Sequence, residues 1–427
     1  MAFRLGWWRL GYGHRSSRDV ERDTRRRRAH HALRPGRIRL LTPAKAGLAL
    51  FLLALPTTGS SRQQAAPPRD LVASDVVASD TVEVVAGPRY AAGPLQRFLF
   101  GSGWRELWTT PIRVPILDLP RTAGGLRPVV RGGGFQTRSL EFASDDGREF
   151  RFRSVDKDAS QRLSPGVRLP AIVGMVRDQT SALHPAGALV AAGLAAAAGI
   201  PHVVPTLVVM PDDPSLGQFR QEFAGMLGIL EEHPAQRPHG LPDRFGFRRV
   251  VETDTLLPPA GPAPRGIDAR EYLAARLLDL YLNDWDRHEG NWLWVTSDTA
   301  QPYRWLAIPK DRDQVFASYG GVVLAIARAF VPKLVPFTGD YHLKGLTANA
   351  ADLDRRILGA LPMTVWDSLT RVLVTRLNDA AVESALRRMP APYYRLSRDE
   401  LITKLRARRE RLPAAARAWA RMVASPD

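Results

Sequence analysis

The stretch Asp284-Trp285-Asp286-Arg287-His288-Glu289-Gly290-Asn291 constrains this chain more than any other. An apolar run with helical spacing, 271–282, leads into it, and a tryptophan-rich run with strand character, 292–295, leaves it. After a second strand-like run at 303–308 comes another acidic cluster, Asp311-Arg312-Asp313. Two carboxylate clusters therefore flank an apolar hairpin, with Asn291 close behind Asp286. A few hard oxygen ligands are what Mg²⁺ needs on a nucleotide, because substrate phosphates fill the remaining positions. A carboxylate in such a loop can also take a proton from a hydroxyl nucleophile. The bland alternative is a polar, hydrogen-bonded loop at a helix end, which a bare Asp-Arg-His triplet would favour.

Composition narrows the class. With 427 residues, 45% of them hydrophobic, the chain can bury an ample core as one large or two modest domains. Its net charge is +17, but residues 1–45 alone hold twelve Arg and one Lys against Asp19, Glu21 and Asp23. The rest is ordinarily basic, with no nucleic-acid stripe, so no nucleic-acid partner is expected. The absence of cysteine rules out disulfides, thiolate metal sites and a lipidated Cys anchor. The nine His show no zinc spacing.

Residues 1–60 read as a basic leader followed by a signal-like segment. The uninterrupted apolar run at 46–55 is too short to span a bilayer comfortably and fits the core of a secretion signal. The leader before it is long, so the translation start is expected downstream of Met1. Residues 61–93 look like a linker, 94–232 like an N-terminal lobe, and 233–427 like a helical C-terminal lobe. Residues 94–130 are expected to cover the outer face of the first lobe. A glycine turn, Gly132-Gly133-Gly134, precedes an alternating strand; Asp145-Asp146-Gly147 is a hairpin signal, and the return strand runs over 149–155. Glycine turns let backbone N–H groups approach phosphates, though they more often mark a plain turn.

The helix expected at 185–198 carries no carboxylate, and Asp178 and Gln179 are the nearest candidates. A strand over 224–230 is expected to lead into a hinge at 230–232. Asp268 is expected to cap the helix that feeds the central loop. Further helices are expected at 351–361, 364–377, 380–389 and 398–423. Strands first and helices last is an α+β order.

Asp286-Arg287-His288-Glu289-Gly290-Asn291 resembles the Asp-Arg-His-x-x-Asn loop of the atypical protein-kinase-like superfamily. That group includes the phosphatidylinositol 3-kinases, bacterial persistence-toxin kinases and secretory-pathway casein kinases. The resemblance implies a two-lobed protein-kinase-like fold, with a strand-rich N-lobe and a helical C-lobe. It implies that Asp286 is the catalytic base and that Asn291 and Asp311 are metal ligands, with Asp313 the runner-up. Lys157, with the turn at Gly132, Gly133 and Gly134, takes the place of the phosphate-binding elements. Arg287 and His288 brace the loop. The ligands implied are ATP with Mg²⁺ or Mn²⁺, and the acceptor a hydroxyl on a protein, sugar or lipid. The carboxylate-poor helix departs from the family pattern and leaves a pseudokinase open. The wider segment is also similar to bacterial proteins in which it stands beside a phosphoesterase domain and an outer-membrane barrel, which implies an outer-membrane or envelope protein as partner.

The expectation is therefore an exported kinase-like phosphotransferase, periplasmic or secreted. The alternatives are an inactive binding or scaffold module of the cell envelope, and a nucleotidyl transferase.

Overall fold

The turn Asp145-Asp146-Gly147 does what its residues require. Gly147 takes a left-handed φ of 78°, which glycine adopts without steric cost. It lets β5 (Ser139–Ser144) fold back on β6 (Glu149–Ser154), pairing Ala143 with Glu149 and Ser139 with Arg153. Along β6, Phe150 and Phe152 point into a core while Arg151 and Arg153 take the other face.

The structure is a computed structural model and describes residues 70–71, 75–132, 137–163, 166, 168–258 and 266–424. The signal-like run at 46–55, Gly133 and Gly134 lie outside the described residues. The remaining strands are β1 (Asp70–Leu71), β2 (Ala78–Val85), β3 (Pro111–Leu117), β4 (Leu126–Gly132), β7 (His202–Val203), β8 (Thr206–Val209), β9 (Leu227–His233), β10 (Arg249–Glu252), β11 (Trp292–Thr296) and β12 (Leu306–Pro309). Helices before the central loop are α1 (Pro94–Phe100), α2 (Arg105–Thr109), α3 (Pro170–Asp178), α4 (Gly187–Ala198), α5 (Arg220–Phe223), α6 (Thr253–Leu256) and α7 (Ala269–Tyr281). After it come α8 (Val322–Ala327), α9 (Leu343–Thr347), α10 (Ala351–Leu358), α11 (Met363–Arg376), α12 (Asp379–Leu386) and α13 (Ala391–Ala424).

A strand-rich N-terminal region precedes a helical C-terminal one. The first is built on a seven-stranded mixed sheet in the order β2-β3-β8-β9-β6-β5-β4, in which only β3 and β8 run parallel. A separate antiparallel sheet, β10-β11-β12, follows in the helical region. Alternation along β8 sorts side chains between two cores: Leu207 and Val209 join the main one, and Val208 packs with Phe142, Phe152 and Leu230 in the other.

Several expectations need correction. Residues 78–85, expected within the linker, form β2. Residues 94–130 do not form a cover: 111–117 and 126–132 are strands of the sheet, while α1 packs against α8. Strand β9 runs on through His233, with Phe150 paired to Glu232, so 231–233 are ladder and no hinge lies at 230–232.

The carboxylate-free α4 has a packing cause. A Cβ on Gly193 would lie 2.9 Å from the Cα of Ala385 in α12, and one on Gly187 would lie 2.8 Å from the Val315 carbonyl. Small side chains are what let these backbones approach. Residues 172–198 are long and apolar enough to pass for a membrane span, but 78% of the 18-residue window that qualifies it lies buried in this protein.

Gly228 sits in central strand β9 between Ser154 and Val208. A Cβ there would come within 2.1 Å of the Phe152 ring and 2.6 Å of the Arg153 carbonyl. Gly228→Ala is therefore expected to destabilise the fold by about 1–3 kcal/mol through overpacking. An unchanged urea midpoint would show that the strand yields at no cost.

Candidate functional site

Asp268 caps α7, accepting from the backbone N–H of Arg270 and Glu271, as its position before the apolar run leads one to expect. The helix delivers the central loop. Just ahead of it, Asn283 is left-handed at φ 60° and donates its amide to the Ala317 carbonyl. Arg287 is fully buried and donates to the carbonyls of Lys310 and Asp311. One guanidinium thus ties the 284–291 loop to the acidic loop after β12. Lys310 closes the same joint by donating its N–H to the Asn291 carbonyl at 3.1 Å.

Within the loop, Asn291 is buried and donates its side-chain amide to the Asp286 carbonyl at 2.6 Å. His288 accepts the Gly290 N–H on Nδ1 at 3.1 Å, so it braces the turn. The half-buried Asp286 carboxylate accepts from Asn349 Nδ2 at 2.7 Å on Oδ1. Its Oδ2 has no hydrogen bond among the described residues.

The acidic loop carries the charges. Asp311 is left-handed at φ 56°, a conformation uncommon outside glycine that tends to be held at functional positions. Its carboxylate is ion-paired with Arg153 of β6, and Asp313 is ion-paired with Lys157 just beyond β6. Burial alone would raise the Asp311 carboxyl; the Arg153, Lys157 and Arg287 charges outweigh it and hold the group well below the usual carboxylate range. Arg312 points the other way, 2.8 Å from the buried Asp279.

These groups line one cleft. Its polar members include Arg153, Lys157, Glu231, Asp311 and Asp313; Trp108, Val155, Leu183 and Ile229 give it apolar walls. The two sequence clusters, 157 and 311–313, therefore meet in space. Asp286 and Asn291 are joined to the cleft through Arg287 and the backbone of 310–311. Gly132 ends strand β4 and lies in register with Ser139, which pairs in turn with Arg153. It stands two strands from β6, roughly 10 Å away at ordinary strand spacing.

Neither upstream candidate reaches Lys157. Asp178 binds Arg105 through both carboxylate oxygens and takes a third hydrogen bond from Gln96. Gln179 has no side-chain partner among the described residues. Asp313 holds the lysine instead.

Sequence reasoning missed Arg153 and Asn349. The alternation of β6 gave a signal for Arg153, a cation on the face opposite two phenylalanines. Asn349 lies between α9 and α10, in a stretch with no local feature to single it out.

Among the described residues no group of three or more His, Asp or Glu is arranged to hold a metal. The donors present at the site are hard oxygens, the carboxylates of Asp311 and Asp313 and the amide oxygen of Asn291, the kind Mg²⁺ and Mn²⁺ take. Two cations, Arg153 and Lys157, are ion-paired with these carboxylates.

His184 borders the cleft, its ring 4.8 Å from Trp104 and 5.8 Å from Phe316. Burial pushes its pKa down to about 3. A base whose folded pKa lies below its unfolded value of about 6.5 adds stability that is complete above that value. The contribution is lost as pH falls toward 3. Folding stability is expected to drop by about 1.4 kcal/mol per pH unit from this group below pH 6.5. The slope should flatten in His184→Gln; identical slopes in urea titrations would remove His184 as its source.

No protein-family model and no curated protein matches the sequence. Among solved structures, the chain is similar to one described as the crystal structure of a Helicobacter pylori proinflammatory kinase CtkA. The TM-score is 0.36 at 12% identity, covering 69% of this chain and 95% of that one.

Proposed function

We propose that this protein is an exported, kinase-like phosphotransferase that moves the γ-phosphate of ATP to a hydroxyl acceptor on a protein, sugar or lipid. The observation that carries the reading is the meeting of Lys157, Arg153, Asp311 and Asp313 in one cleft, with Arg287 fastening the Asp286 loop to it.

Each residue has a task in this reading. Lys157 would exchange Asp313 for phosphate oxygens, with Arg153 adding a second cation. Asn291 and Asp311 would hold Mg²⁺ or Mn²⁺, with Asp313 the alternative ligand; the charge supplied there would offset that of the phosphates. Asp286, with Oδ1 fixed by Asn349, would offer Oδ2 to the acceptor hydroxyl and take its proton. Catalysis rests on positioning and charge neutralisation. Export rests on the basic and apolar pattern of the first sixty residues.

Thermal unfolding with ATP and Mn²⁺ tests the first step. A nucleotide at about a hundred times its Kd is expected to add ~2.7 kcal/mol to stability. Incubation with candidate acceptors followed by mass spectrometry should then find phosphoryl adducts. Nucleotidyl adducts would replace phosphoryl transfer with the other chemistry, and absence of any nucleotide effect would end both.

One feature favours an inactive binding module. Asp311 and Asp313 already neutralise Arg153 and Lys157, and α4 has no carboxylate to relieve Asp313. Nucleotide binding without transfer to any acceptor would establish that reading.

A further inference from the structure

Two stretches without a single Asp or Glu, 84–105 and 314–339, meet on one face of the molecule. Glycines bring them together. A Cβ on Gly321 would lie 2.4 Å from the Gly101 nitrogen, and one on Gly101 would lie 2.8 Å from the Gly320 carbonyl carbon. The end of α1 thus rests on the start of α8 with no room for a side chain between them.

The outer face of this pair is apolar. Leu95 and Phe98 of α1 are 71% and 65% exposed, Ile326 of α8 is 64% exposed, and Phe330 just beyond is 78% exposed. Val322 completes the row at 41%. The spacing of Leu95 to Phe98 and of Val322 to Ile326 puts each pair on one side of its helix. Single exposed apolar residues are ordinary, but four on abutting helices and a fifth just beyond form a patch that marks an interaction site.

Positive charge accompanies the patch. Arg97 is exposed and bonds the Ala92 carbonyl, while Arg328 bonds the carbonyls of Leu334 and Tyr319. Among the described residues neither meets a carboxylate. A second copy of this face would bring like charges together, and the Arg-rich leader before 46–55 would meet the same repulsion.

We propose that the α1–α8 face docks on the surface of an anionic lipid bilayer. The apolar side chains enter the boundary between headgroups and acyl chains, and Arg97 and Arg328 lie against the lipid phosphates. The surface stands apart from the transfer reading and needs none of its residues.

The cysteine-free sequence permits a direct test in the full chain. Ala325→Cys, labelled with an environment-sensitive fluorophore, reports on this face; Asp145→Cys reports on the β5–β6 turn. With vesicles containing phosphatidylglycerol, the label at 325 should shift to the blue and be quenched by nitroxide lipid. The label at 145 should not change. Neutral phosphatidylcholine vesicles should bind about tenfold more weakly or worse, as should the double variant Phe98→Ser, Phe330→Ser. The proposal is overturned if the chain pellets with vesicles while the 325 label stays unchanged, for then the leader alone binds. It is overturned equally by a blue shift that follows protein concentration without lipid, which marks a second copy, and by one that survives in the double variant.

Discussion

Asp286→Ala is expected to lower phosphoryl transfer by about 10²–10⁴-fold, the range of a lost general base, while leaving the stabilisation by ATP and Mn²⁺ intact. Asp286 makes no ion pair with Lys157 or Arg153. The hydrogen bond from Asn291 goes to its backbone carbonyl, which alanine keeps. The loop also keeps Arg287 on the carbonyls of Lys310 and Asp311. Removing the carboxylate therefore subtracts a proton acceptor and little else, apart from the partner of the Asn349 amide. Steady-state kinetics beside thermal unfolding separates the outcomes. Activity within threefold of the parent would discard the base role, and loss of the nucleotide effect would mean that the side chain holds the site together.

Arg276→Met should be among the most damaging single changes to stability, at about 3–5 kcal/mol. Arg276 is wholly buried in α7 and binds Asp354 through Nε and Nη2, both at 2.9 Å. Its Nη1 lies 3.2 Å from Asp279, which also faces Arg312. Tyr272 donates to the same Asp354 at 2.8 Å. Methionine fills similar space but leaves two carboxylates in a dry interior with fewer cations to face, and the orphaned charge is what makes the loss large. Arg417, paired with Asp367, is 58% exposed on its side chain. Arg417→Met should cost less than about 1 kcal/mol, because water already solvates both partners. Urea midpoints for the two variants should differ widely; similar values would mean that the buried network carries no net weight.

Much of this architecture can be read from local chemistry. The Asp-Asp-Gly turn, the Asp268 cap and the apolar spacing of α7 each involve neighbours in sequence. What could not be read depends on distant partners. Strand β2 is exposed along most of its length and rich in Ser, Asp and Thr, so its composition reads as linker until Val82 and Val84 find β3. Helix α13 begins at Ala391, ahead of the expected 398, because Pro392 looks like a breaker although proline is well tolerated in a first turn. At the site, the sequence brings out Asp286, Asn291 and the 311–313 cluster through their spacing. It is silent on the partner of Lys157, since the answer lies in a loop far along the chain and in the glycine and alanine packing that keeps acids off α4.

Trp104 donates its indole N–H to the carbonyl of Phe316, 212 residues away, and its backbone N–H to Ser181. Ser318 donates to Ala182 across the same seam. The stretch that follows the acidic loop is consequently bolted at both sides, not hung as a gate.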